Sequence, residues 1–214
     1  MYYRYYLYIS MFMKIIKQEN LDISEIVEAL KNGATIVYPT ETCYGLGCDA
    51  SNKEAVDKIF AIKKRQAHKS VLVVVPEVSM IIPFISWTPT LQNIADKYWP
   101  GALTVVVKVK DKNIFPAGVV NEDGTMAFRV TEHPLAAEIS QKLNSPLVST
   151  SANIVSMNSP YDIESVLQMF ESEEIKPDII IDAGTLPTRS PSTVIKVVDE
   201  RIEILRQGEV IVEK

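Results

Sequence analysis

The sequence contains few of the residues that build metal centres and disulfides. Its 214 residues include only two cysteines, Cys43 and Cys48, and two histidines, His68 and His133. Structural zinc sites usually take four Cys or His ligands at short regular spacings, and these four residues cannot supply a site of that kind. We therefore expect free thiols in a reducing cytosol and no metal held by protein ligands.

A surplus of positive charge is also missing. The chain has 22 Lys and Arg against 27 Asp and Glu, a formal net charge of −5. A protein that grips nucleic-acid phosphates with its whole surface has the opposite balance. A local basic patch is compatible with this composition, so a module that binds tRNA or double-stranded RNA stays an alternative.

The third absence is a long hydrophobic run. No apolar stretch approaches the roughly 18 residues that a membrane-spanning helix needs. The first eight residues hold five tyrosines, and the start "MYYRYYLYISMFMK" lacks the aliphatic stretch and cleavage site of a signal peptide. We expect residues 1–12 to be an N-terminal extension, followed by one domain over 13–214 of a cytoplasmic protein with no membrane partner.

Several familiar catalytic signatures are absent too. The chain has no GxxxxGK[ST] phosphate loop, no GxGxxG after a strand and no GxSxG elbow. A nucleotide would therefore be held by scattered side chains. His68 and His133 lack the serine or cysteine context of a nucleophilic triad. We expect His133, which precedes Pro134, to start a helix.

Helical and strand patterns interleave along the chain. Apolar residues at helical spacing, and short runs rich in β-branched residues between them, distinguish the two kinds of element. The predicted helices are 22–33, 51–64, 133–143 and 162–170, and the predicted strands are 34–39, 71–75, 103–109, 126–130, 147–150, 178–184 and two within 193–208. Ser51 lies three residues before Glu54, which predicts a capping box. The fold class is therefore α/β, a single domain whose twisted mixed sheet is flanked by helices.

Three polar clusters follow predicted strands, where α/β sheets gather their ligands. They are "YPTETCYGLG" (38–47), "STSAN" (149–153) and "RSPST" (189–193). The first has so few core-forming residues that we do not expect it to serve packing. Ser and Thr also cap helices and close turns, which is the alternative for any one cluster. Together the three favour a small polar ligand with an amine, carboxylate or hydroxyl.

Positive charge is concentrated in "KKRQAHK" (63–69), which holds Lys63, Lys64, Arg65 and Lys69. Cations are stabilised at a helix C-terminus, so this run needs no ligand to explain it. It leads directly into a buried strand, however, and that position would let Arg65 and Lys69 hold phosphates through charge-assisted hydrogen bonds.

Two further arginines, Arg129 and Arg206, lie within apolar strand segments. A guanidinium in such a place needs an anion or a route to solvent. For Arg206, a salt bridge within the protein is the alternative to a bound anion.

Taken together, six segments resemble the YrdC/Sua5 family of threonylcarbamoyl-AMP synthases in its short single-domain form. They are "YPTETCYGLG", the "KxR" of Lys63 and Arg65, "FRVTEHPLA", "STSAN", "STV" and "ILRQG". They follow the family's order from about Ile15 to Val212. The resemblance implies a YrdC/RibB-like sheet with a large concave cleft. It also implies that L-threonine, bicarbonate or CO2, and ATP with Mg²⁺ give threonylcarbamoyl-AMP and pyrophosphate. A downstream tRNA threonylcarbamoyl-transferase complex would then modify adenosine 37 of tRNAs that read ANN codons.

The resemblance also implies residue roles. The residues matched to L-threonine binding are Thr42, Arg129, Ser149 and Ser192. Those matched to ATP binding are Arg65, Lys69, Thr125, Ser151, Ser159 and Arg206. Those matched to catalysis are Lys63, Arg65, Ser151 and Asn153. For Glu41 a structural role is favoured over that of a base. Mg²⁺ is expected on phosphates and water, because no paired carboxylates mark a cage built by the protein.

The chain departs from the family pattern at loop positions. Gln66 replaces a proline, Ser70 and Val71 replace a Pro-Leu pair, Met157 replaces a glycine, and Gln207 replaces a proline. These changes affect loop rigidity more than charge. A carbamoylphosphate-using domain of the hydrogenase-maturation type is the remaining alternative, and release of pyrophosphate that needs both threonine and bicarbonate would separate the readings.

Overall fold

The structure is a computed structural model, and it describes residues 13–65 and 70–213. The extension expected over residues 1–12 lies outside the described residues, as do Gln66, His68 and Lys69. No structural outcome can be given for those predictions.

The described chain forms five α-helices and eleven strands. The helices are α1 (Ile23–Lys31), α2 (Lys53–Lys63), α3 (Pro89–Tyr98), α4 (Pro134–Leu143) and α5 (Ile163–Phe170). The strands are β1 (Lys14–Lys17), β2 (Ile36–Pro39), β3 (Tyr44–Gly47), β4 (Leu72–Val75), β5 (Leu103–Lys108), β6 (Thr125–Val130), β7 (Leu147–Val148), β8 (Thr150–Ser151), β9 (Ile179–Asp182), β10 (Thr193–Val198) and β11 (Arg201–Arg206). Short 3₁₀ turns occur at Gln18–Asn20, Val78–Met80 and Ile82–Phe84.

Local sequence signals explain where most helices begin and end. The Asp22 carboxylate accepts a hydrogen bond from the Ser24 amide at 2.8 Å and so caps α1. Gly33 follows the end of α1 with φ at +87°, a left-handed conformation that glycine adopts without strain. His133 precedes Pro134 at the start of α4, as expected.

The predicted capping box at the start of α2 is wrong. The cap is Asn52, whose side-chain oxygen accepts from the Ala55 amide at 3.0 Å. The Ser51 hydroxyl instead donates to the carboxylate of Asp49 at 2.8 Å. A carboxylate two residues earlier competes for the serine, and the helix consequently starts one residue later.

Helix α3 was not among the predicted elements, although its sequence carries a start signal. Thr88 caps it by accepting from the Leu91 amide, and Pro89 occupies the first turn. Leu91 and Ile94 face the core. The apolar residues of α3 are fewer than those of the other helices, so the helical pattern in its sequence is weaker.

The mixed α/β class is confirmed, and the strands form two sheets where one was expected. One sheet has the order β1-β9-β2-β3-β8 and the other the order β11-β10-β5-β6-β4-β7. Both contain parallel and antiparallel pairs. The sheets meet where the chain runs from β7 in the six-stranded sheet into β8 in the five-stranded sheet, so residues 147–151 connect the two. The Val148 amide donates to the Cys48 carbonyl at 2.9 Å and ties this crossover to the end of β3.

The opening motif, residues 38–47, folds as a hairpin of β2 and β3 with Pro39 opposite Tyr44. The expectation that this stretch does not serve packing was wrong. Tyr38, Tyr44 and Leu46 are fully buried, so the motif is part of the core as well as a polar turn. Its aromatic rings supply the apolar area that its short polar residues lack.

The core has two parts. The smaller is built from α1 and α4 packed on strands of both sheets, with Ile26, Leu30, Ile139, Leu147 and Ile181 among its members. The larger holds the buried faces of α2, α3 and α5 against alternate residues of the same strands, β2, β4, β7 and β9, and against β3, β5, β6 and β10. Each fully buried aliphatic side chain contributes about 1.5–3 kcal/mol relative to exposure, so this packing fixes the loops at the strand ends.

Within the described ranges, no helix combines the length and apolar character needed to cross a bilayer.

Candidate active site

A cavity of about 500 Å³ lies where the two sheets meet. That volume lies within the range typical of small-molecule sites. Its walls come from the β2–β3 turn, from β5 and β6, from the crossover at 147–151, and from the segments around residues 189–194 and 206. Eight of the residues predicted to bind or act on substrates line it together: Thr42, Arg65, Arg129, Ser149, Ser151, Ser159, Ser192 and Arg206.

Three other predicted residues lie elsewhere. Lys63 and Asn153 line an adjoining depression that shares Arg65 and Ser151 with the cavity. Thr125 lies in a second depression, which shares Ser70 and Val106 with the cavity. The Thr125 hydroxyl donates to Asp123 at 2.6 Å and accepts from Asn121 at 3.0 Å, so local partners occupy it. Thr125 is thus set apart from the other predicted ATP ligands.

The turn between β2 and β3 is organised by the Thr40 hydroxyl. It donates to the Cys43 carbonyl at 2.7 Å and accepts from the amides of Thr42 and Cys43 at 3.2 and 3.3 Å. The two threonine hydroxyls are themselves 3.2 Å apart. This network holds the Thr42 hydroxyl at the cavity wall, which is the ordering that a hydrogen-bonding ligand contact requires.

A buried ion pair lies behind the cavity wall. Arg129 Nη1 is 3.4 Å from Glu41 Oε1, and both side chains are 4% exposed. The Thr131 hydroxyl donates to the same carboxylate at 3.1 Å. These contacts support the structural role expected for Glu41 over a role as base. Arg129 Nε has no hydrogen-bond partner in the described part of the chain, so the guanidinium has a donor to spare.

Arg65 and Arg206 have no carboxylate within 4 Å among the described residues. Arg65 Nη2 donates to the Ser70 carbonyl at 2.8 Å, and Arg206 donates to the Ser192 carbonyl at 2.8 and 3.2 Å. Burial lowers the pKa of both guanidiniums, because each is partly desolvated without a neutralising partner. The described structure therefore does not provide the salt bridge considered as an alternative for Arg206.

The Lys63 ammonium is buried and turned toward the main chain. It donates to the Ser151 carbonyl at 2.5 Å, the Asn153 carbonyl at 2.8 Å and Asn153 Oδ1 at 3.3 Å. Burial lowers its pKa to about 8. Three contacts use the three donors of an ammonium. Lys63 thus fastens the turn that carries Ser151, whose hydroxyl donates to Asn153 Oδ1 at 2.5 Å.

The described cavity lining carries cations and hydroxyls without a carboxylate. Nor do the described residues contain a cluster of three or more His, Cys, Asp or Glu side chains placed to hold a metal. These donors do not fit a magnesium site built by the protein. They suit an anionic ligand with additional amine or hydroxyl groups.

Sequence reasoning missed several lining residues. Thr104 lies beside Ser192, with their hydroxyl oxygens 2.9 Å apart, and it comes from the apolar strand β5. Tyr161 donates to the Arg189 carbonyl at 3.3 Å. Arg189 belongs to a cluster that the sequence did indicate, but only the hydroxyls of that cluster were considered. A cation among the serines was the signal that could have identified it.

Comparison with known proteins decides the family. The family model Sua5_yciO_yrdC, described as "Telomere recombination", matches residues 28–208. The chain belongs to the Sua5/YciO/YrdC family. This membership confirms the resemblance carried by the six sequence segments.

A named enzyme and a solved structure are similar to most of this chain. "Threonylcarbamoyl-AMP synthase" of Pseudoalteromonas atlantica is 34% identical over 165 residues, which is 76% of this chain and 85% of that protein. P. abyssi Sua5 complexed with L-threonine is 27% identical with a TM-score of 0.79, over 92% of this chain and 57% of that one. This chain therefore spans less than two thirds of that Sua5.

A similar fold also occurs within a longer protein of known structure. Full-length HypF in its phosphate- and nucleotide-bound form matches with a TM-score of 0.74 at 20% identity, over 87% of this chain and 29% of that one. This likeness concerns the fold alone.

Proposed function

We propose that this protein is an L-threonylcarbamoyladenylate synthase, a nucleotidyltransferase that uses L-threonine, bicarbonate or CO2, and ATP. The proposal rests on one observation: hydroxyl side chains and guanidiniums meet at a single cavity between the two sheets. Two of these guanidiniums, those of Arg65 and Arg206, have no carboxylate partner among the described residues. The name of the Pseudoalteromonas relative and the threonine complex of P. abyssi Sua5 support the same substrates.

The amino acid is assigned to the part of the cavity formed by Thr42, Arg129, Ser149 and Ser192. Arg129 lines this part of the cavity, and its guanidinium suits the threonine carboxylate, because an arginine bound to a carboxylate gives a charge-assisted hydrogen bond. The three hydroxyls suit the amine and the hydroxyl of threonine, since a hydroxyl can both donate and accept.

The phosphates of ATP are assigned to Arg65, Ser151 and Arg206. The two guanidiniums are partly buried and lack acidic partners among the described residues, so a polyanion satisfies them. Ser159 is assigned here by the resemblance and by its place in the cavity lining. Lys69 is assigned by resemblance alone, and so is Thr125, which lies in the neighbouring depression.

The reaction needs a dry, positively charged site. The threonine amine and CO2 give an N-carboxylate, which decomposes readily in water. One of its oxygens attacks the α-phosphorus of ATP, so that an O–P bond forms while the bond to pyrophosphate breaks. Negative charge grows on the phosphate oxygens and the leaving pyrophosphate, and Arg65 and Arg206 stabilise it electrostatically. No covalent bond to the protein is required.

Lys63 and Asn153 are assigned positioning roles. The Lys63 ammonium is committed to carbonyls of the 151–153 turn, and the Asn153 amide donates to the carbonyls of Ile154 and Met157 at 3.1 and 2.6 Å. Both therefore act on the substrates through Ser151. Magnesium is assigned to the ATP phosphates and water, in keeping with a lining that lacks carboxylates.

The test is pyrophosphate release by the purified chain. Release that requires ATP, L-threonine and bicarbonate together supports the synthase. Release without threonine, or none under any combination, contradicts it. Carbamoylphosphate replacing bicarbonate and threonine would favour the hydrogenase-maturation activity. Binding of RNA with a steep salt dependence and no pyrophosphate would favour the RNA-binding module.

The product is an activated mixed anhydride, so an acceptor must take the threonylcarbamoyl group. We assign that step to a tRNA threonylcarbamoyl-transferase complex, with tRNA as the final acceptor. Direct contact of this chain with tRNA or double-stranded RNA is a separate question for binding assays. We assign the reaction to the cytoplasm, because Cys43 and Cys48 are buried free thiols, as a reducing compartment favours.

A further inference from the structure

Arg189 is a fourth arginine at the cavity, and it plays no part in the assignments above. It lies before β10, in the loop that also brings Pro191 and Ser192 to the cavity wall. Its main chain is anchored, because its carbonyl accepts a hydrogen bond from the Tyr161 hydroxyl. The backbone of Arg189 is therefore held at the cavity, while its side chain is about half exposed.

Arg189 forms only a weak ion pair with Glu132. Its Nη1 lies 3.5 Å from Glu132 Oε1, and the two side chains are 48% and 46% exposed. An ion pair this exposed contributes little to stability, because water screens the charges and two long side chains lose rotamer freedom. The contrast with the Arg129–Glu41 pair, whose members are 4% exposed, is large. The Arg129–Glu41 pair is therefore fixed by burial. The Arg189–Glu132 pair can be replaced by another contact at a small cost in free energy.

Glu132 does not line the cavity, whereas Arg189 does. An anionic ligand in the cavity would therefore lie beside Arg189 and not beside Glu132, and it could compete with that carboxylate for the guanidinium. Charge-assisted bonds to phosphate or carboxylate inside a partly dry cavity are stronger than an exposed pair.

We propose that Arg189 is a further substrate-binding residue. Its guanidinium gives up the contact with Glu132 and binds an anionic group of the incoming substrates instead. Two groups have the required chemistry, the phosphates of ATP and the carboxylate of L-threonine. The inference rests on the proposed function, since it takes the substrates from there. Glu132 acts as a competitor that holds the arginine when the cavity is empty.

The test compares three changes by titration calorimetry with ATP and, separately, with L-threonine. Arg189→Ala should weaken binding of one of the two ligands about tenfold. Glu132→Gln, which removes the competitor, should leave that affinity unchanged or increase it up to severalfold. The double variant Arg189→Glu with Glu132→Arg restores an ion pair but replaces the cation at the cavity by a carboxylate, and it should bind at least as weakly as Arg189→Ala.

Each outcome has a defined meaning. The ligand that Arg189→Ala weakens identifies the anionic group. Equal weakening by Arg189→Ala and Glu132→Gln, with rescue by the exchanged pair, would mean that the ion pair is only structural. Unchanged affinity for both ligands in Arg189→Ala would also overturn the inference. Circular dichroism checks that each variant is folded.

The proposed function is judged separately on the wild-type chain. If it binds the ligands and releases pyrophosphate while Arg189→Ala behaves identically, only the inference about Arg189 falls. If the wild-type chain binds neither ATP nor L-threonine, the proposed function and the inference fall together.

Discussion

Glu41 and Arg129 face each other across 3.4 Å with neither side chain more than 4% exposed. Glu41 comes from the turn of the β2–β3 hairpin and Arg129 from β6, so the pair joins the two sheets behind the cavity. Removing one member of a buried pair leaves the other charge desolvated and unpaired, which typically costs 3–5 kcal/mol.

The first prediction concerns this pair. Glu41→Gln should lower the free energy of unfolding by about 3 kcal/mol, since an amide can keep the Thr131 hydrogen bond but not the charge. The measurement is urea denaturation. The matched control is Glu25→Gln, because Glu25 pairs with Lys14 at 62% and 60% exposure and should change stability by about 1 kcal/mol or less. Equal losses in the two variants would contradict the importance assigned to burial.

The second prediction concerns Arg65. Arg65→Ala should reduce the rate of pyrophosphate release about 100-fold or more, because a preorganised donor to developing charge is lost. The fold should be unchanged, since within residues 13–65 and 70–213 the side chain makes one hydrogen bond, to the Ser70 carbonyl. Arg201→Ala on β11, an exposed arginine that does not line the cavity, is the matched control and should keep full activity. Wild-type turnover by Arg65→Ala would remove Arg65 from the phosphate role.

The third prediction follows from the lowered pKa of Lys63. The folded lysine releases its proton above about pH 8, whereas the unfolded one keeps it to about pH 10.4. Between these values the unfolded state binds more protons, so the free energy of unfolding rises with pH. The difference between wild type and Lys63→Met should therefore shift in favour of wild type by up to about 3 kcal/mol from pH 8 to 10.

Tyrosines and cysteines are common to both proteins, so their contribution to the pH dependence of stability cancels when the two proteins are compared at each pH. A stability difference that stays flat across this pH range would mean that the Lys63 pKa is not lowered. Lys63→Met should also be less stable than wild type at pH 7, because the carbonyls of Ser151 and Asn153 lose their donor.

The fourth prediction concerns the amino acid. L-serine lacks the methyl group of L-threonine, and one missing methyl group in a pocket costs about 1–3 kcal/mol. We therefore expect kcat/KM for serine to be about 10 to 200 times lower than for threonine, measured by pyrophosphate release with bicarbonate and ATP saturating. Equal use of both amino acids would show that no methyl-sized recess lies beside Thr42.

The fifth prediction concerns Gly47, at the end of β3. A Cβ built there would lie 2.2 Å from the Val148 carbonyl oxygen and 2.9 Å from a ring carbon of Tyr38. Gly47→Ala should therefore cost about 3 kcal/mol or more in thermal or urea unfolding, because a main-chain oxygen cannot move aside. The control is Gly184→Ala, where the added Cβ meets nothing within 4 Å and only the φ of +68° is unfavourable. We expect a loss of about 1–2 kcal/mol there.

Much of the fold could be predicted from local signals. The Asp22 cap and Gly33 delimit α1, and the apolar run at 103–108 forms β5. The division into two sheets could not be predicted in this way. It depends on pairs such as β1 with β9, which lie far apart in sequence and carry no mutual pattern. The hairpin at 38–47 was missed for a related reason, because its polar residues resemble those of an irregular loop.

Some features of the candidate site could likewise be predicted from the sequence, and others could not. Motifs identified many of the hydroxyls and most of the arginines of the cavity, because those residue types follow strand ends in recognisable groups. Partner choice was not predictable: that Arg129 pairs with Glu41, that Lys63 turns to main-chain carbonyls, and that Arg189 joins the lining all depend on how distant strands are aligned.

The crossover at residues 147–151 has a consequence for catalysis. Ser149 is assigned to the amino acid and Ser151 to the nucleotide, and only Thr150 separates them along the backbone. The distance between the two proposed binding residues is thus limited by the backbone that joins them, and it does not depend on how closely the two sheets pack. A small shift of one sheet relative to the other would therefore leave the spacing of Ser149 and Ser151 along the chain unchanged.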